Sequence, residues 1–97
     1  MVVEFTEPAS IEIDDAISFY NYQERGFGKI FFEEVLQIIE LISEFPELWP
    51  QNTANTRKAT LKKFPYNLIY SAEKDMIYII AVAHHHREPE YWIDRVL

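Results

Sequence analysis

Apolar positions recur along the chain with two different periods, which separate a helical first half from an extended second half. After a short β-prone run at Val2–Phe5, four apolar residues follow the i, i+3, i+4, i+7 spacing of one helical face. They are Ile13, Ala16, Ile17 and Tyr20. Thr6, Glu7 and Pro8 are typical of a helix start, because the first turn does not use the N–H that proline lacks.

A second, longer helix is predicted after Gly26 and Gly28, which mark the end of the first helix and a turn. Its apolar stripe has helical spacing and contains Phe32, Val35, Leu36, Ile38, Ile39, Ile42 and Phe45. The acidic residues are assigned to the polar sides of the two helices: Glu12, Asp14, Asp15, Glu33, Glu34, Glu40 and Glu44. Pro46 ends the second helix, and two helices joined by so few residues are expected to form an antiparallel hairpin.

The second half of the chain predicts three strands. The stretch PELWPQNTANT is rich in Pro, Asn and Thr and is predicted to be a loop, and the strands RKATLKKF, PYNLIYSA and MIYIIAVAH follow it. Pro65 separates the first two strands, and the residues 73–75 predict a tight hairpin turn. The last strand is apolar on both faces, which predicts a central position with covering elements on each side.

The predicted fold class is therefore α+β, with the element order β-α-α-β-β-β and a short C-terminal tail, EYWIDRVL. An N-terminal strand and an antiparallel helical hairpin pack on a small antiparallel sheet. Residues 1–97 are assigned to a single domain, because one core accounts for a chain of this length.

Charge and composition narrow the classes of partner. The net charge is −7, and residues 1–55 carry 11 acids and 2 bases, whereas residues 56–97 carry 5 acids and 7 bases. Because phosphate contacts use Lys and Arg, any nucleic-acid contact is expected in the second half. The chain has no cysteine and no apolar run near the ~18 residues of a membrane span, so a cytoplasmic protein without a membrane partner is expected.

The histidine run 84–86 raises the question of a metal site. In an extended strand His84 and His86 point one way and His85 the other. An H-x-H pair on one face can chelate zinc, but a third ligand is not evident, so no metal and no cofactor are predicted. The two remaining interpretations of His84 are a structural hydrogen bond at the strand end and an acid–base group, since imidazole titrates near neutrality.

Two long segments resemble the RelE/ParE superfamily of toxins from type II toxin–antitoxin systems, over almost the whole chain. The segment DDAISFYNYQERGFGKIFFEEVLQIIELISEFPELWP is similar to the helical hairpin of that family. The segment RKATLKKFPYNLIYSAEKDMIYIIAVAHHHREPEYWIDRV is similar to its sheet and C-terminal region. The most specific parts are FPY after a basic strand and the pattern H-x-x-R-x-P-x-Y-W, which begins at His84.

The resemblance implies a toxin neutralised by a cognate antitoxin, with two versions of its activity. RelE-like members are ribosome-dependent endonucleases that cut mRNA, and this is the leading expectation. ParE-like members share the fold and inhibit DNA gyrase without enzymatic chemistry. A third reading is an inactive member that only binds an antitoxin, and a homodimer is considered as well. RelE-like nucleases are typically basic, so the net charge of −7 departs from that pattern.

Candidate site residues follow from the same resemblance, since metal-free RNA cleavage needs a base, an acid and cations. The positions assigned to catalysis are Arg57, Lys63, His84, Arg87 and Tyr91. The positions assigned to nucleic-acid binding are Lys58, Lys62 and Arg95. The resemblance implies that the open face of the sheet carries Arg57, Lys62, Lys63, His84 and Arg87.

Some of these residues have a second interpretation. Arg87 is expected to clamp a phosphate, because guanidinium binds phosphate in a bidentate manner, or alternatively to form a salt bridge with Glu88, Glu90 or Asp94. Tyr91 either stacks on a base or packs the tail onto the core, and packing is expected for Trp92. Arg95 is either a phosphate contact or a solvated charge. His85 and His86 are expected to be surface residues.

Overall fold

The computed structural model describes residues 2–96, in which two helices and five strands are followed by a short 3-10 helix. The elements are β1 (Val2–Phe5), α1 (Glu7–Gln23), α2 (Phe27–Glu44), β2 (Gln51–Thr53), β3 (Thr56–Thr60), β4 (Tyr66–Glu73), β5 (Met76–His84) and the 3-10 helix (Ile93–Val96). Met1 and Leu97, the ends of the single domain assigned to residues 1–97, lie outside the described residues. That domain assignment stays a prediction.

The start of α1 lies where the sequence predicts it and is tied directly to the sheet. The Thr6 hydroxyl accepts a hydrogen bond from the backbone N–H of Ala9, which caps the helix. The same hydroxyl donates to the carbonyl of Ile80 in β5, at 3.3 Å. The N–H of Thr6 also donates to the carbonyl of Ile79. The first turn of α1 is therefore fixed beside the middle of β5.

The two glycines perform different tasks at the helix–helix turn. Gly26 has a φ of +85°, a left-handed conformation that lets the chain reverse before α2. Gly28 lies within α2 against α1, where its N–H donates to the Asn21 side chain at 2.9 Å. A Cβ atom at position 28 would lie 2.5 Å from the carbonyl oxygen of Ile17. The predicted turn is confirmed, and Gly28 additionally permits close packing of the hairpin.

The sheet has the order β1-β5-β4-β3-β2, and the antiparallel pairing predicted for the three strands of the second half is confirmed. β5 pairs with β4, β4 with β3 and β3 with β2 in the antiparallel sense, but β1 runs parallel to β5. After β1, the helical hairpin takes the chain to the opposite edge of the sheet, where β2 forms. β3, β4 and β5 then follow in order, each one position closer to β1. β5 consequently returns beside β1 in the same direction. The central position predicted for this apolar strand is confirmed.

Strand boundaries differ from the sequence prediction at two places. Residues 51–53 form the short edge strand β2 inside the stretch predicted to be a loop, where Asn and Thr gave no apolar alternation. β3 ends at Thr60, so Lys62 and Lys63 lie in the connection to β4 and not on the strand. The turn between β4 and β5 is where the sequence places it, with a φ of +39° at Lys74.

The core lies between the helical hairpin and one face of the sheet, which we call the helix face. Its centre is a cluster of aromatic rings contributed by both helices, by β4 and by the connection that precedes β4: Tyr20, Phe27, Phe31, Phe64 and Tyr66. Ring pairs in this cluster have centroid distances of 4.8–6.2 Å with mostly edge-to-face orientation. The predicted stripe of α1 is confirmed, since Ile13, Ala16 and Tyr20 are buried.

The apolar stripe of α2 is shifted relative to the prediction. Phe31 is fully buried, whereas Phe32 is 37% exposed and Leu36 is 46% exposed. Val35, Ile38 and Ile42 are buried as predicted. Because apolar residues surround much of α2, sequence spacing alone did not distinguish the buried set from its neighbour.

Glu34 is the largest departure on α2, because it is buried and not part of the polar side. Its carboxylate accepts hydrogen bonds from the backbone N–H groups of Lys62 at 2.6 Å and Lys63 at 3.1 Å. These two N–H groups lie in the connection between β3 and β4, where the sheet provides no partner. Glu34 therefore holds this connection against the helical hairpin.

Replacing Glu34 with Ala is expected to lower the free energy of unfolding by about 1–3 kcal/mol, since two N–H donors lose their acceptor. Glu33→Ala, at an exposed neighbouring position on the same helix, is the matched control and should change stability by less than about 0.5 kcal/mol. Urea denaturation of both variants measures the difference. Equal stabilities of the two variants would contradict this role for Glu34.

Candidate functional site at the open face of the sheet

The face of the sheet opposite the helices, which we call the open face, is partly covered by the C-terminal tail. Trp92 is only 3% exposed and packs on an apolar patch formed by Ile69, Ile80, Ala81 and Ala83. This confirms the packing role expected for Trp92. The tail leaves the end of the patch uncovered, and an open cleft of about 210 Å³ lies there.

The cleft, which we call the open-face cleft, brings polar and basic side chains from separate elements together. Lys58 is opposite Ile69 in the β3–β4 register, so both side chains point to the open face. The Asn67 side chain contacts Nε2 of His85 at 3.3 Å. The lining residues that carry polar groups are Asn52, Lys58, Asn67, His84, His85, Arg87, Glu88, Glu90, Tyr91 and Trp92. This set offers two permanent cations and the His85 imidazole to a ligand.

Arg87 lies at the mouth of the cleft, in the turn that follows β5. Its guanidinium carbon lies 3.8 Å from the centre of the Tyr91 ring, a cation–π contact. Among the described residues the structure shows one ion pair, Arg95 with Glu12, so the salt bridge considered for Arg87 is not formed. Arg87 therefore presents its hydrogen-bond donors to solvent from a stacked position.

Glu12 of α1 holds the tail in place. Its Oε2 accepts from the Tyr91 hydroxyl at 2.6 Å and from Nη2 of Arg95 at 3.0 Å. Its Oε1 accepts from Nη1 of Arg95 at 2.9 Å and from the backbone N–H of Val82 at 3.0 Å. Nη1 of Arg95 also donates to the carbonyl of Ile80. One carboxylate thus links α1, β5 and the tail.

The charged Glu12 side chain lies beside β5 because part of the edge of β5 has backbone groups without a strand partner. β1 pairs with β5 only as far as Ile79, so the following β5 backbone groups have no strand neighbour on that side. Glu12 accepts the N–H of Val82, and Thr6 and Arg95 donate to the carbonyl of Ile80. Side chains therefore replace the missing strand, which satisfies the edge.

Glu12, Tyr91 and Arg95 form a group of mutual contacts, which we call the Glu12 cluster, and the pKa of each of the three is shifted. Burial acts to raise the pKa of Glu12, but the hydrogen bonds from Arg95, Tyr91 and Val82 outweigh it and hold that pKa below its usual value. Burial, together with the hydrogen bond to Glu12, raises the pKa of Tyr91. The hydrogen bond to Glu12 raises the pKa of Arg95. At neutral pH Tyr91 is consequently a protonated donor and Glu12 a charged acceptor.

The His84 ring packs on the helix face against Tyr66, although His84 is also among the residues that line the open-face cleft. It is opposite Tyr66 in the β4–β5 register, and the two rings meet edge to face with centroids 5.0 Å apart. Its Nδ1 accepts the backbone N–H of His86, a structural hydrogen bond at the strand end. Burial and the neighbouring histidines lower the pKa of His84, which favours the neutral ring. The alternating directions predicted for the three histidines are confirmed.

Arg57 is also on the helix face. It is opposite Tyr70 in the register, and its Nη1 donates to the carbonyl of Trp49 at 2.7 Å. The Tyr70 hydroxyl donates to the carbonyl of Pro46, so the two side chains together fasten residues 46–50 to the sheet. A separate cavity of about 400 Å³ lies beside Arg57. Arg57 and Arg87 consequently cannot contact one ligand on the open face.

The structure therefore divides the eight predicted site residues between several places. Lys58, Arg87 and Tyr91 are brought together at the open-face cleft, and His84 also borders it. The expectation of one shared face is wrong for Arg57 and for the His84 ring, which lie on the helix face, and for Lys62 and Lys63, which lie beside α2. Arg95, expected to be a phosphate contact or a solvated charge, is paired with Glu12. The chemical roles assigned to these residues stay predictions.

Sequence reasoning missed three residues of this region. His85 was expected to be a surface residue, and Asn67 was not singled out, although its alternation with Ile69 places it on the open face. Glu12 was assigned to a polar side because it lies outside the apolar stripe of α1. No local signal identifies a carboxylate whose partners are 70 to 83 residues away in sequence.

The described residues contain neither a metal-binding cluster nor a helix able to span a membrane. Within residues 2–96, no three His, Asp or Glu side chains are grouped closely enough to hold a metal ion. No helix in that range combines the length and the apolar character needed to cross a membrane. The absence of a cofactor, a cytoplasmic location and a homodimer all stay predictions.

Comparison with known proteins assigns the family. The sequence model of the family described as ParE toxin of type II toxin-antitoxin system, parDE, matches residues 3–89. The chain belongs to the ParE toxin family. It is the toxin of a type II toxin–antitoxin system, and its partner is an antitoxin protein. Comparison of the sequence with curated proteins gives no significant match.

Solved structures share the fold of this ParE-family toxin. The structure described as the chromosomal ParDE TA system from P. aeruginosa is 17% identical, with a TM-score of 0.63 over 87% of this chain and 95% of that one. The isolated E. coli RelE toxin is 20% identical, with a TM-score of 0.65 over 99% of this chain and 98% of that one. Both likenesses confirm the predicted superfamily fold.

The Glu12 cluster predicts how stability depends on pH. Because the pKa of Glu12 is lower in the folded protein than its ordinary value of 4.5, its carboxylate stabilises the fold above that pH. This contribution is lost as the pH falls through the folded-state pKa. The difference in unfolding free energy between the wild type and Glu12→Gln should therefore shrink between pH 7 and pH 3. Urea denaturation at each pH measures it.

Asp15→Asn is the control, since it removes an exposed carboxylate from the same helix. It should reproduce the pH dependence of the wild type. A wild-type advantage over Glu12→Gln that is as large at pH 3 as at pH 7 would contradict the role given to the Glu12 carboxylate.

Proposed function

We propose that this toxin arrests growth by binding DNA gyrase, without cutting nucleic acid, and that the open-face cleft is part of the contact surface. The match to the ParE family supports this choice, since ParE-like toxins act on gyrase and RelE-like toxins cut mRNA. The observation that carries the proposal is the separation of the expected nuclease residues. Arg57 lies on the helix face and donates to the carbonyl of Trp49. The His84 ring packs against Tyr66, whereas the Arg87 guanidinium stacks on Tyr91.

The state of Tyr91 also argues for binding. Its hydroxyl already donates to Glu12 at 2.6 Å, and burial raises its pKa, so it is a poor base at neutral pH. Its ring instead supports Arg87. A surface of this kind suits recognition of a folded partner, because stacked Arg and Tyr side chains are common anchors in protein interfaces.

The net charge of the chain also supports binding to a protein target. A net charge of −7 opposes entry into the RNA-rich decoding site of a ribosome, whereas a protein surface accepts an acidic partner. Lys58 and Arg87 of the cleft fit carboxylates on the target, and Glu88 and Glu90 beside them fit its cations.

Ribosome-dependent mRNA cleavage is the second candidate, and a specific observation favours it. Lys58, His85 and Arg87 line one cleft, which supplies an imidazole able to transfer a proton and two cations able to stabilise a phosphorane. In this case His85, and not His84, takes the acid–base role.

A supercoiling assay with purified gyrase, relaxed plasmid and ATP tests the proposal. The toxin should inhibit supercoiling, and Arg87→Ala should raise the concentration needed for half-inhibition by about tenfold, the loss typical of one anchoring Arg. Lys29→Ala, which removes an exposed cation from α2, is the matched control and should inhibit as the wild type does.

Cell-free translation with mapping of mRNA 5′ ends completes the test. Intact message in the presence of toxin is expected. Normal supercoiling together with new ribosome-dependent 5′ ends would replace the gyrase proposal with the nuclease. Neither effect, and no growth arrest, would identify an inactive member of the family.

A further inference from the structure

Arg87 occupies a position where an arginine side chain is ordinarily free to move. It is exposed, it follows the end of β5, and no carboxylate pairs with it among the described residues. An exposed arginine samples many rotamers, and ordering it for a partner has an entropic penalty. The 3.8 Å contact with the Tyr91 ring restrains the guanidinium before any partner arrives.

The Tyr91 ring is itself held from the opposite side. Its hydroxyl donates to Oε2 of Glu12, and the same carboxylate is fixed by both Nη atoms of Arg95 and by the N–H of Val82. The Glu12 side chain is only 15% exposed, so solvent offers it few competing donors. The Arg95 guanidinium also lies 5.2 Å from the Tyr91 ring centre.

A continuous series of contacts thus runs from α1 to the cleft. Glu12 does not line the cleft, whereas Tyr91 and Arg87 do. We infer that Glu12 is a positioning residue, which orients Arg87 at the mouth of the open-face cleft by fixing the Tyr91 ring. The inference rests on the proposed function only for its biological consequence, because the orientation itself is a property of the free toxin.

The physical consequence is pre-organisation of the contact surface. A guanidinium already stacked in its binding orientation loses less conformational freedom on association. The structure also explains why the support comes from α1. The edge of β5 requires a charged group near Val82, and the carboxylate that supplies it reaches the tail with its other oxygen.

The test is nuclear magnetic resonance of the Arg87 Nε–H group in the free toxin. Stacking on an aromatic ring shifts this resonance upfield by ring current, so the wild type should show an upfield Arg87 signal. Glu12→Gln should move the signal toward the value of an unstacked arginine. Asp15→Asn, an exposed change on the same helix, should leave it in place.

Tyr91→Phe provides a second variant that keeps the ring and its packing but removes the hydroxyl. Its Arg87 signal should also move downfield, since the ring loses its hydrogen bond to Glu12. An Arg87 signal unchanged in both Glu12→Gln and Tyr91→Phe would overturn the inference, whatever the target of the toxin is.

A functional measurement separates positioning from simple stabilisation. Glu12→Gln should weaken gyrase inhibition by about two- to fivefold, the range expected for one exposed cation–π contact. In an Arg87→Ala background the same change should have no further effect on inhibition, although it should still lower the thermal stability. Independent, multiplicative effects of the two changes on inhibition would contradict positioning and leave the gyrase proposal intact.

Failure of the proposed function gives a different result. If Arg87→Ala inhibits gyrase as well as the wild type while the nuclear magnetic resonance shifts follow the expected pattern, Glu12 orients Arg87 but gyrase is not what Arg87 contacts.

Discussion

The placement of the C-terminal tail depends on the hydrogen bonds and the ion pair that the Glu12 carboxylate makes with Val82, Tyr91 and Arg95. β5 extends beyond β1, and the exposed part of its edge needs partners that no strand supplies. Glu12 accepts the N–H of Val82 and simultaneously binds Arg95 and Tyr91, so the edge is satisfied and the tail is fastened by one group. Removal of such a buried acceptor leaves several donors unpaired at once.

This constraint also determines what the open face presents. With the tail in place, Trp92 covers the apolar patch of β4 and β5, and the remaining cleft is lined by Lys58, His85 and Arg87. Without the tail the same face would be an exposed apolar surface next to a free strand edge, which favours association. The arrangement of the tail therefore determines both how much apolar surface the sheet exposes and the chemistry of its accessible part.

Much of the fold follows from local sequence rules, and the candidate site does not. Thr6 and Pro8 mark the start of α1, Gly26 marks the turn, and the apolar run of β5 indicates its central position, because each rule depends on neighbouring residues. Glu12 and Glu34 read as solvated acids because their partners are distant in sequence. Arg57 and Lys58 are adjacent on β3, so they face opposite sides of the sheet, and only Lys58 reaches the open face. Lys62 and Lys63 lie beyond the end of β3.

Hydrogen exchange at the backbone N–H of Val82 tests the central claim most directly. This N–H has a side chain as its acceptor and lies on an edge without a strand neighbour. If Glu12 fastens the edge and the tail as described, Val82 should exchange as slowly as the paired N–H groups of β5, and Glu12→Gln should accelerate it selectively. Exchange of Val82 in the wild type as fast as in an exposed loop would contradict the account.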